Sequence, residues 1–442
     1  MYKEIKLIKN TKNFLIPLLL LIFALCLSIQ AEEIKLDIVG KSIRPTIVAI
    51  KRFTPEASPK IIKPNELESI IEKDLNISRY FESQKYSDIL RLLDESDKKK
   101  GKIDFLEWKL AGTEVLVEGT YEYKDNIITV KIHVYDVGSA KEIFGKVYKG
   151  GDTEYQLIAH TISNDIVYYL TGNKGIALTK IAFISTRDGH SEVYAMDFNG
   201  ENQIRLTSNK SLKTTPCFGT NNTEIYFTSD IGYNFDLYGV KISGGNPWLI
   251  LRFPGPNLSP NYSPVSQKIA LSLGKDGNVE IYTMERNGKN LTRLTYDKAI
   301  DQSPSWGPNG KEIVFTSDRT GTPQIYIMNA DGFHQRRITF QGSFNDSPTW
   351  SPKGDLIAFV SRSAGVFDIY TTNTEGLDWR RLTMNQRKNE DPCFSPDGQH
   401  IAFSSNRTGK YQIYIMDING RNQRQLTFDG ENTSPNWSGF YE

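Results

Sequence analysis

The chain has 442 residues, which is room for two or three domains with a sizeable core. Its formal net charge is only +1, and the repeats described below contain no basic block or arginine stripe, which argues against a nucleic-acid partner. A hydrophobic share of 38% suits a protein built from many short, half-exposed strands.

Residues 1–31 differ in composition from the rest of the chain. Four lysines precede an apolar run from Phe14 to Ile29, and the small residue Ala31 follows it. This order predicts an export signal that is cleaved after Ala31. An uncleaved membrane anchor is the alternative, but Pro17 interrupts the run and a spanning helix needs about 20 apolar residues. A lipid anchor at Cys26 is disfavoured by the bulky Leu25 before it. After cleavage we therefore expect no direct membrane insertion.

Residues 32–172 predict an N-terminal α+β domain. A helix start stands at Pro64-Asn65, and alternating apolar residues between Thr113 and Lys149 predict a strand meander. A second helix is expected to open at Thr153, with Gln156 as its capping partner, and to end at Gly172. Residues 173–442 have a different organisation.

A period of 44 residues recurs six times in this second region. Each copy holds an apolar triplet, and each holds a tyrosine and a turn glycine at fixed distances from that triplet. The triplets begin at Ile181, Ile225, Ile269, Ile313, Ile357 and Ile401. Hairpin turns such as Asn309-Gly310 and Asp331-Gly332 separate four short strands in the clearest copy. A repeat of this length and content predicts a six-bladed β-propeller over residues 173–442.

A proline column indicates how the ring closes. Prolines open five complete repeats, and Pro435 opens a sixth that holds one strand only. Residues 179–207 supply the other three strands. We therefore expect residues 435–442 to complete the blade that residues 179–207 begin, which removes a free sheet edge. Cys217 and Cys393 occupy equivalent places in different blades and are expected to be buried, unpaired thiols.

The residues just before each proline are the candidate binding site, because the connection from an outer strand to the next inner strand lies at the channel mouth. We expect polar, exposed loops there, and the candidates are Thr215, Ser259, Asp301, Gln302, Ser303, Asn345, Asp346, Ser347, Glu390, Asp391, Asn432 and Thr433. Solvated turns before proline explain the same residues equally well. Converging carboxylates could also hold Ca²⁺ in the propeller channel, although no EF-hand spacing is present. Otherwise no cofactor or metal is expected.

The sequence disfavours an enzyme. A propeller peptidase needs a Gly-x-Ser-x-Gly nucleophile turn, and this sequence has none. Its five histidines form no repeated column and no His-x-x-x-His pair, which also disfavours propeller lyases and metalloenzymes. A propeller that binds a sugar or another small ligand stays open as an alternative, as does a propeller-type hydrolase or lyase.

The chain resembles the TolB family, periplasmic propeller proteins of the Tol-Pal system. The repeats carry a Trp-Ser-Pro-Asp-Gly-like pattern at Trp350 to Gly354 and Phe394 to Gly398. More specific are the strand from Arg44 to Ile50 and the sequence from Tyr169 to Gly172 at the domain join. The resemblance implies a monomeric, non-catalytic periplasmic scaffold whose propeller mouth binds the outer-membrane lipoprotein Pal, with roles in outer-membrane integrity and cell division.

The same resemblance assigns the segment after the signal to a second partner, the inner-membrane protein TolA. Residues 32–41 would be a flexible recruiting segment, with contacts from Glu32, Glu33, Ile34, Lys35, Leu36, Asp37 and Ile38. Alternating apolar and charged residues suit addition to a partner's sheet edge. The alternative is a first strand of the folded domain.

Overall fold

The computed structural model describes residues 44–56, 66–151, 153–363, 365–384 and 386–441. The predicted signal and the segment 32–41 lie outside these residues. Within the described ranges, no helix has the length and apolar character needed to cross a bilayer.

The N-terminal region is a mixed sheet with helices packed on it. Its strands are β1 (Thr46–Ile50), β2 (Thr54–Pro55), β3 (Phe81–Ser83), β4 (Val115–Lys124), β5 (Ile127–Asp136) and β6 (Lys141–Gly151). They pair in the order β3-β1-β4-β5-β6, and β2 pairs with β4. The predicted meander is β4-β5-β6, and its first turn places Asp125 and Asn126 at positive φ. Alternating side chains of these strands form one face of the core.

Four helices complete this region: α1 (Glu66–Ile77), α2 (Asp88–Lys100), α3 (Phe105–Leu110) and α4 (Tyr155–Thr171). The α1 and α4 helices bury Leu67, Ile71, Ile162 and Ile166 against the sheet. The predicted capping pair at Thr153 was wrong, because α4 begins at Tyr155 after Glu154, whose side chain makes no cap hydrogen bond. Helices α2 and α3 were not predicted.

The predicted six-bladed propeller is confirmed, with four antiparallel strands in each blade. Blade 1 contains β10 (Lys213–Phe218), β11 (Glu224–Ser229), β12 (Asp236–Lys241) and β13 (Trp248–Leu251), with a 3₁₀ turn at Thr220–Asn222. Blade 2 contains β14 (Asn257–Ser263), β15 (Lys268–Leu273), β16 (Glu280–Glu285) and β17 (Thr292–Arg293). Blade 3 contains β18 (Asp301–Trp306), β19 (Glu312–Ser317), β20 (Gln324–Asn329) and β21 (Arg336–Arg337).

The remaining blades repeat this plan. Blade 4 contains β22 (Asn345–Trp350), β23 (Leu356–Ser363), β24 (Val366–Asn373) and β25 (Arg380–Arg381). Blade 5 contains β26 (Asn389–Phe394), β27 (His400–Ser405), β28 (Gln412–Asp417) and β29 (Arg424–Gln425). Blade 6 joins β30 (Asn432–Trp437) to β7 (Lys180–Ser185), β8 (Glu192–Asp197) and β9 (Ile204–Arg205). The C-terminal strand is thus the inner strand of the blade that the first repeat begins.

Adjacent blades are held together by side chains of the apolar triplets and of the aromatic positions after each proline. Trp306 of blade 3 packs in one cluster with Ala270 and Ile281 of blade 2. Trp350 of blade 4 likewise packs with Val314 of blade 3. Cys217 and Cys393 are free thiols, as expected. These contacts bury one side of each sheet against its neighbour and leave the strand ends for function.

The N-terminal region contacts the propeller at blades 5 and 6. The Nε2 atom of His400 lies 2.7 Å from the carbonyl oxygen of Ile77, and Arg79 donates a 2.8 Å hydrogen bond to the side chain of Gln399. Lys73 forms an ion pair with Glu201 of blade 6. Gln399 and Glu201 belong to turns and His400 is the first residue of β27, all at the ends where the inner strands finish. The opposite ends of the blades carry the candidate site.

Candidate functional site

The residues before each proline are the first residues of the inner strands. The prediction that they lie in loops was wrong. Each inner strand already begins three residues before its proline, in β10, β14, β18, β22, β26 and β30. Each inner strand then loses its register with the next strand for two residues, as between Gln302 and Ser305. This interruption is a β-bulge, which lets a strand turn a side chain toward the axis.

One residue in each bulge has a left-handed backbone. The six are Thr215 (φ 46°), Ser259 (φ 52°), Ser303 (φ 54°), Ser347 (φ 52°), Asp391 (φ 53°) and Ser434 (φ 51°). Non-glycine residues adopt this conformation uncommonly. Because it recurs in all six blades, it is a regular part of the repeat and not a local irregularity. We call these six residues the bulge ring.

The bulge ring lines a cavity on the propeller axis. Each ring residue and the proline after it contribute to its wall, together with the next residue of most blades. Its volume is about 130 Å³. Small-molecule sites usually enclose about 300–1,000 Å³, so this cavity is smaller than a typical ligand pocket.

Three of the predicted mouth residues are not available at the surface. Asp301, Asn345 and Asn432 are each 0% exposed. Asp301 is paired with the guanidinium of Arg319 in its own blade at 2.9 Å. The side-chain amides of Asn345 and Asn432 each donate a 2.8 Å hydrogen bond to a glutamine of the preceding blade. The expectation that these side chains are exposed was wrong, because each one ties the start of its inner strand to a buried partner, in its own blade for Asp301 and in the preceding blade for the two asparagines.

The other predicted residues reach the mouth and form a polar network there. Gln302 donates to Asp346 at 3.4 Å, and Asp346 also accepts a 2.8 Å hydrogen bond from Thr316. Glu390 accepts from the hydroxyl of Tyr411. Thr215, Ser259, Ser303 and Ser347 lie in the bulge ring, and Thr433 stands one residue before Ser434.

Three carboxylates make one half of the mouth acidic. Asp346 belongs to blade 4, and Glu390 and Asp391 belong to blade 5, whereas the matching places in blades 1, 2 and 6 hold threonine, leucine or serine. Burial, and next the neighbouring Glu390, raise the pKa of Asp391 to about 6, although Ser434 donates hydrogen bonds to it. Burial also raises the pKa of Asp346. No lysine or arginine of the described residues forms an ion pair with these three carboxylates.

The arrangement gives no metal centre in the described part of the chain, where no group of three or more His, Cys, Asp or Glu side chains is placed to hold an ion. The Ca²⁺ suggestion therefore gains no support from the donor set. The five histidines are also absent from the cavity wall.

Sequence reasoning missed a second feature of this face. Four connections from an outer strand to the next inner strand each display an exposed apolar side chain: Tyr296 (73% exposed), Phe340 (69%), Met384 (57%) and Phe428 (72%). They are 44 residues apart, so the repeat itself carried the signal. We call these four residues the rim residues.

Comparisons with known proteins agree with this architecture. The family model for the TolB beta propeller domain matches residues 169–376 and 345–440. The model for the TolB amino-terminal domain matches residues 34–143. Together they cover every blade and the helix-and-sheet region up to residue 143.

Individual relatives show the same likeness over part of the chain. A Tol-Pal system protein TolB from Syntrophotalea carbinolica is 34% identical over 47% of this chain and 48% of its own length. One from Geobacter metallireducens is 44% identical over 28% of this chain and 29% of its length. The chain thus matches about half or less of these curated relatives.

A solved structure extends the likeness to nearly the whole fold. The crystal structure of TolB from Acinetobacter baumannii superposes with a TM-score of 0.78 at 25% identity, over 91% of this chain and 98% of that one. With a propeller model that matches more than half of the sequence, these similarities lead to one conclusion. The chain belongs to the TolB family.

Proposed function

We propose that this protein is a non-enzymatic periplasmic scaffold of the Tol-Pal system. It binds a Pal-like outer-membrane lipoprotein at the propeller mouth and a TolA-like inner-membrane protein through residues 32–38, and so supports outer-membrane integrity and envelope constriction at cell division. Family membership supports the system, since the curated relatives are named Tol-Pal system protein TolB.

The observation that carries the mouth assignment is the bulge ring. All six blades contribute to one small opening, so a partner seated there contacts several blades at once, as an interface of about 800 Å² per side requires. The contacts of the N-terminal region that we describe above are made at the opposite ends of the blades, through His400 and Glu201. That leaves the mouth side for a partner.

The geometry favours binding over catalysis. The ring hydroxyls have no histidine beside them in the cavity wall, so the described residues there lack the serine–histidine pair that activates a serine nucleophile in most hydrolases. A cavity of about 130 Å³ is also small for a sugar. A folded protein that rests on the mouth needs no deep pocket.

The test of the mouth uses capture of a purified, non-lipidated Pal domain. We expect Glu390→Arg and Thr433→Arg to weaken capture, because both positions lie at the start of inner strands beside the ring. The matched controls are Lys353→Glu and Asn309→Asp, which are exposed in turns on the opposite face. Loss of Pal in the controls with retention in the mouth variants would reverse the face assignment. Binding of a small sugar instead of Pal would favour the alternative function.

The N-terminal proposal needs its own experiment. Removing residues 32–38 should abolish capture of a TolA domain and leave the melting temperature unchanged. A large fall in melting temperature would show that the segment is part of the folded domain. N-terminal sequencing of the exported protein should begin near Glu32, and an intact Met1 in the membrane fraction would contradict cleavage.

A further inference from the structure

The rim residues occupy positions that the fold does not require to be apolar. Each one directly follows a threonine that is 0% exposed: Thr295, Thr339, Thr383 or Thr427. Each of these hydroxyls donates to a side chain at the start of the third strand of its own blade, as Thr339 does to Gln324 and Thr383 to Asp368. The threonine, and not the residue after it, holds the connection in place.

Blade 6 has the same threonine hydrogen bond, but no apolar residue follows the threonine. Thr207 donates to Glu192 in the equivalent place, and the next residue is Ser208. The threonine's neighbour can therefore be small and polar without loss of the connection. The apolar side chains on four other connections add nothing to the core and expose large surfaces to water, which is a cost unless they contact something.

Arginine side chains contact the rings of two rim residues and the backbone beside a third. The guanidinium of Arg293 lies 4.7 Å from the ring centre of Tyr296, and that of Arg337 lies 5.4 Å from the ring centre of Phe340. Arg381 donates to the carbonyl oxygen of Thr383, just before Met384. Residues held in place before binding lose less conformational entropy when a partner arrives.

The four rim residues stand on consecutive connections, of which the first, with Tyr296, leads into blade 3. Phe340, Met384 and Phe428 stand on the three successive connections that lead into blades 4, 5 and 6. The uncompensated carboxylates of Asp346 and of Asp391 with Glu390 lie in the inner strands of blades 4 and 5, within the same sector. The connection that leads into blade 1 carries Ser208 in the equivalent place, and its apolar Leu212 is less exposed, at 45%. The ring residues of blades 1 and 2 are Thr215 and Ser259.

We propose that the partner docks off-centre on the sector of blades 4 to 6, and that its contact surface combines an apolar patch with a basic side chain. The patch covers Phe340, Met384 and Phe428, and the lysine or arginine enters the mouth beside Asp346, Glu390 and Asp391. Charge complementarity selects a basic partner surface, since the described residues supply no cation of their own to these carboxylates. This inference rests on the proposed function and narrows its interface to one half of the mouth.

The test replaces the three apolar side chains of the patch by serine, the residue type that Ser208 supplies at the equivalent place in blade 6. The variant Phe340→Ser/Met384→Ser/Phe428→Ser should bind the purified Pal domain more than 100-fold more weakly in calorimetry, with an unchanged melting temperature. Each single change should weaken binding about tenfold, as expected for central interface residues. Glu390→Gln with Asp391→Asn should weaken binding and reduce its dependence on salt.

The matched control is Tyr233→Ser. Tyr233 is fully exposed in the turn between β11 and β12, on the same face but in blade 1. It should bind Pal as the unmodified protein does. If the triple variant binds normally while Thr433→Arg loses Pal, the partner uses the mouth without the apolar patch, and the inference is overturned while the proposed function stands.

Two other outcomes would be decisive. If no variant on the mouth face changes Pal binding, the proposed function fails together with the inference. If sedimentation shows that the unmodified protein dimerises and that the triple variant is monomeric, a second copy of the chain covers the rim residues, and the inference is again overturned.

Discussion

The guanidinium of Arg187 donates a 3.1 Å hydrogen bond to the side chain of Asn432, a residue 245 positions later in the chain. Blades 3 and 5 have the same link within a single repeat, where Arg319 contacts Asp301 and Arg407 contacts Asn389. The blade assembled from both ends of the propeller therefore has the same internal tie as a blade made from one continuous segment. Its stability depends on the C-terminal strand in the same way.

Trp437 is the test of this closure. It is 6% exposed, and its indole nitrogen donates a 2.9 Å hydrogen bond to Thr179. Trp437→Ala should lower the free energy of unfolding by about 3–5 kcal/mol, because it leaves a large cavity between the two ends of the ring. Urea denaturation measures the loss. Tyr233→Ala, at a fully exposed site, is the control and should change stability by less than about 0.5 kcal/mol.

Asp391 should make the propeller less stable as the pH rises. Its folded pKa is raised to about 6 from an ordinary 3.8, chiefly by burial and then by Glu390. The folded state then holds a proton that the unfolded state releases, so stability falls as the pH rises from about 4 to about 6. Above that range the ionised carboxylate carries its full cost.

Asp391→Asn should remove this cost, since asparagine tolerates the left-handed backbone and can still accept from Ser434. We expect a gain of up to about 2 kcal/mol at pH 7.5 and little gain at pH 4 in urea denaturation. An equal effect at both pH values would mean that the carboxylate does not titrate in this window.

Thr215 is the strained member of the bulge ring. It is β-branched at φ 46°, and its hydroxyl is buried without a hydrogen-bond partner among the described residues. Thr215→Gly should raise stability by about 0.5–1 kcal/mol, because it relieves backbone strain that exceeds the entropic cost of glycine. Thr214→Gly, one residue earlier at negative φ, should destabilise by a similar amount. Thermal melts of the pair would show opposite shifts, and a fall in both would refute the strain.

Arg79 should contribute more than Lys73 to stability at the joint between the N-terminal region and the propeller. Arg79 is partly buried, donates to Gln399 at 2.8 Å and lies 3.4 Å from Asp417. Arg79→Ala should cost about 1.5–3 kcal/mol, the range for a hydrogen bond to a charged group, and should speed amide exchange at residues 77–81.

Lys73→Ala is the control for this joint, because its ion pair with Glu201 is exposed. We expect a loss of less than about 1 kcal/mol and no change in exchange at residues 77–81. If Arg79→Ala and Lys73→Ala lower the free energy of unfolding equally, the buried contacts of Arg79 add nothing to the joint beyond an exposed ion pair.

The sequence predicted the propeller because its signals are local and repeated. Apolar triplets and Asn-Gly turns need only their own blade to be recognised, and the period of 44 residues multiplies each signal by six. Helix α2 was missed because its buried side chains include Asp94 and Asp97, which pair with Lys51 in the folded domain. A polar core of this kind has no apolar periodicity to detect.

The structure of the mouth was predicted less well, because it depends on contacts with residues that are distant in the sequence. Ser and Asp before proline suit a turn as well as a bulged strand, and only the neighbouring strand's register distinguishes the two. The burial of Asp301 depends on Arg319, which lies 18 residues away across the blade. The rim residues were within reach of the sequence, since Tyr296, Phe340, Met384 and Phe428 recur at the repeat length.

The pairing of β30 with β7 also sets the order of events when the protein is made. A ribosome produces β7, β8 and β9 first among the propeller strands, yet their inner strand follows only after five other blades have been synthesised. Until Trp437 has emerged, blade 6 has an open edge of the kind that pairs with other chains. The nascent protein therefore has its greatest need of a chaperone in blade 6, and for almost the whole time that the propeller is being synthesised.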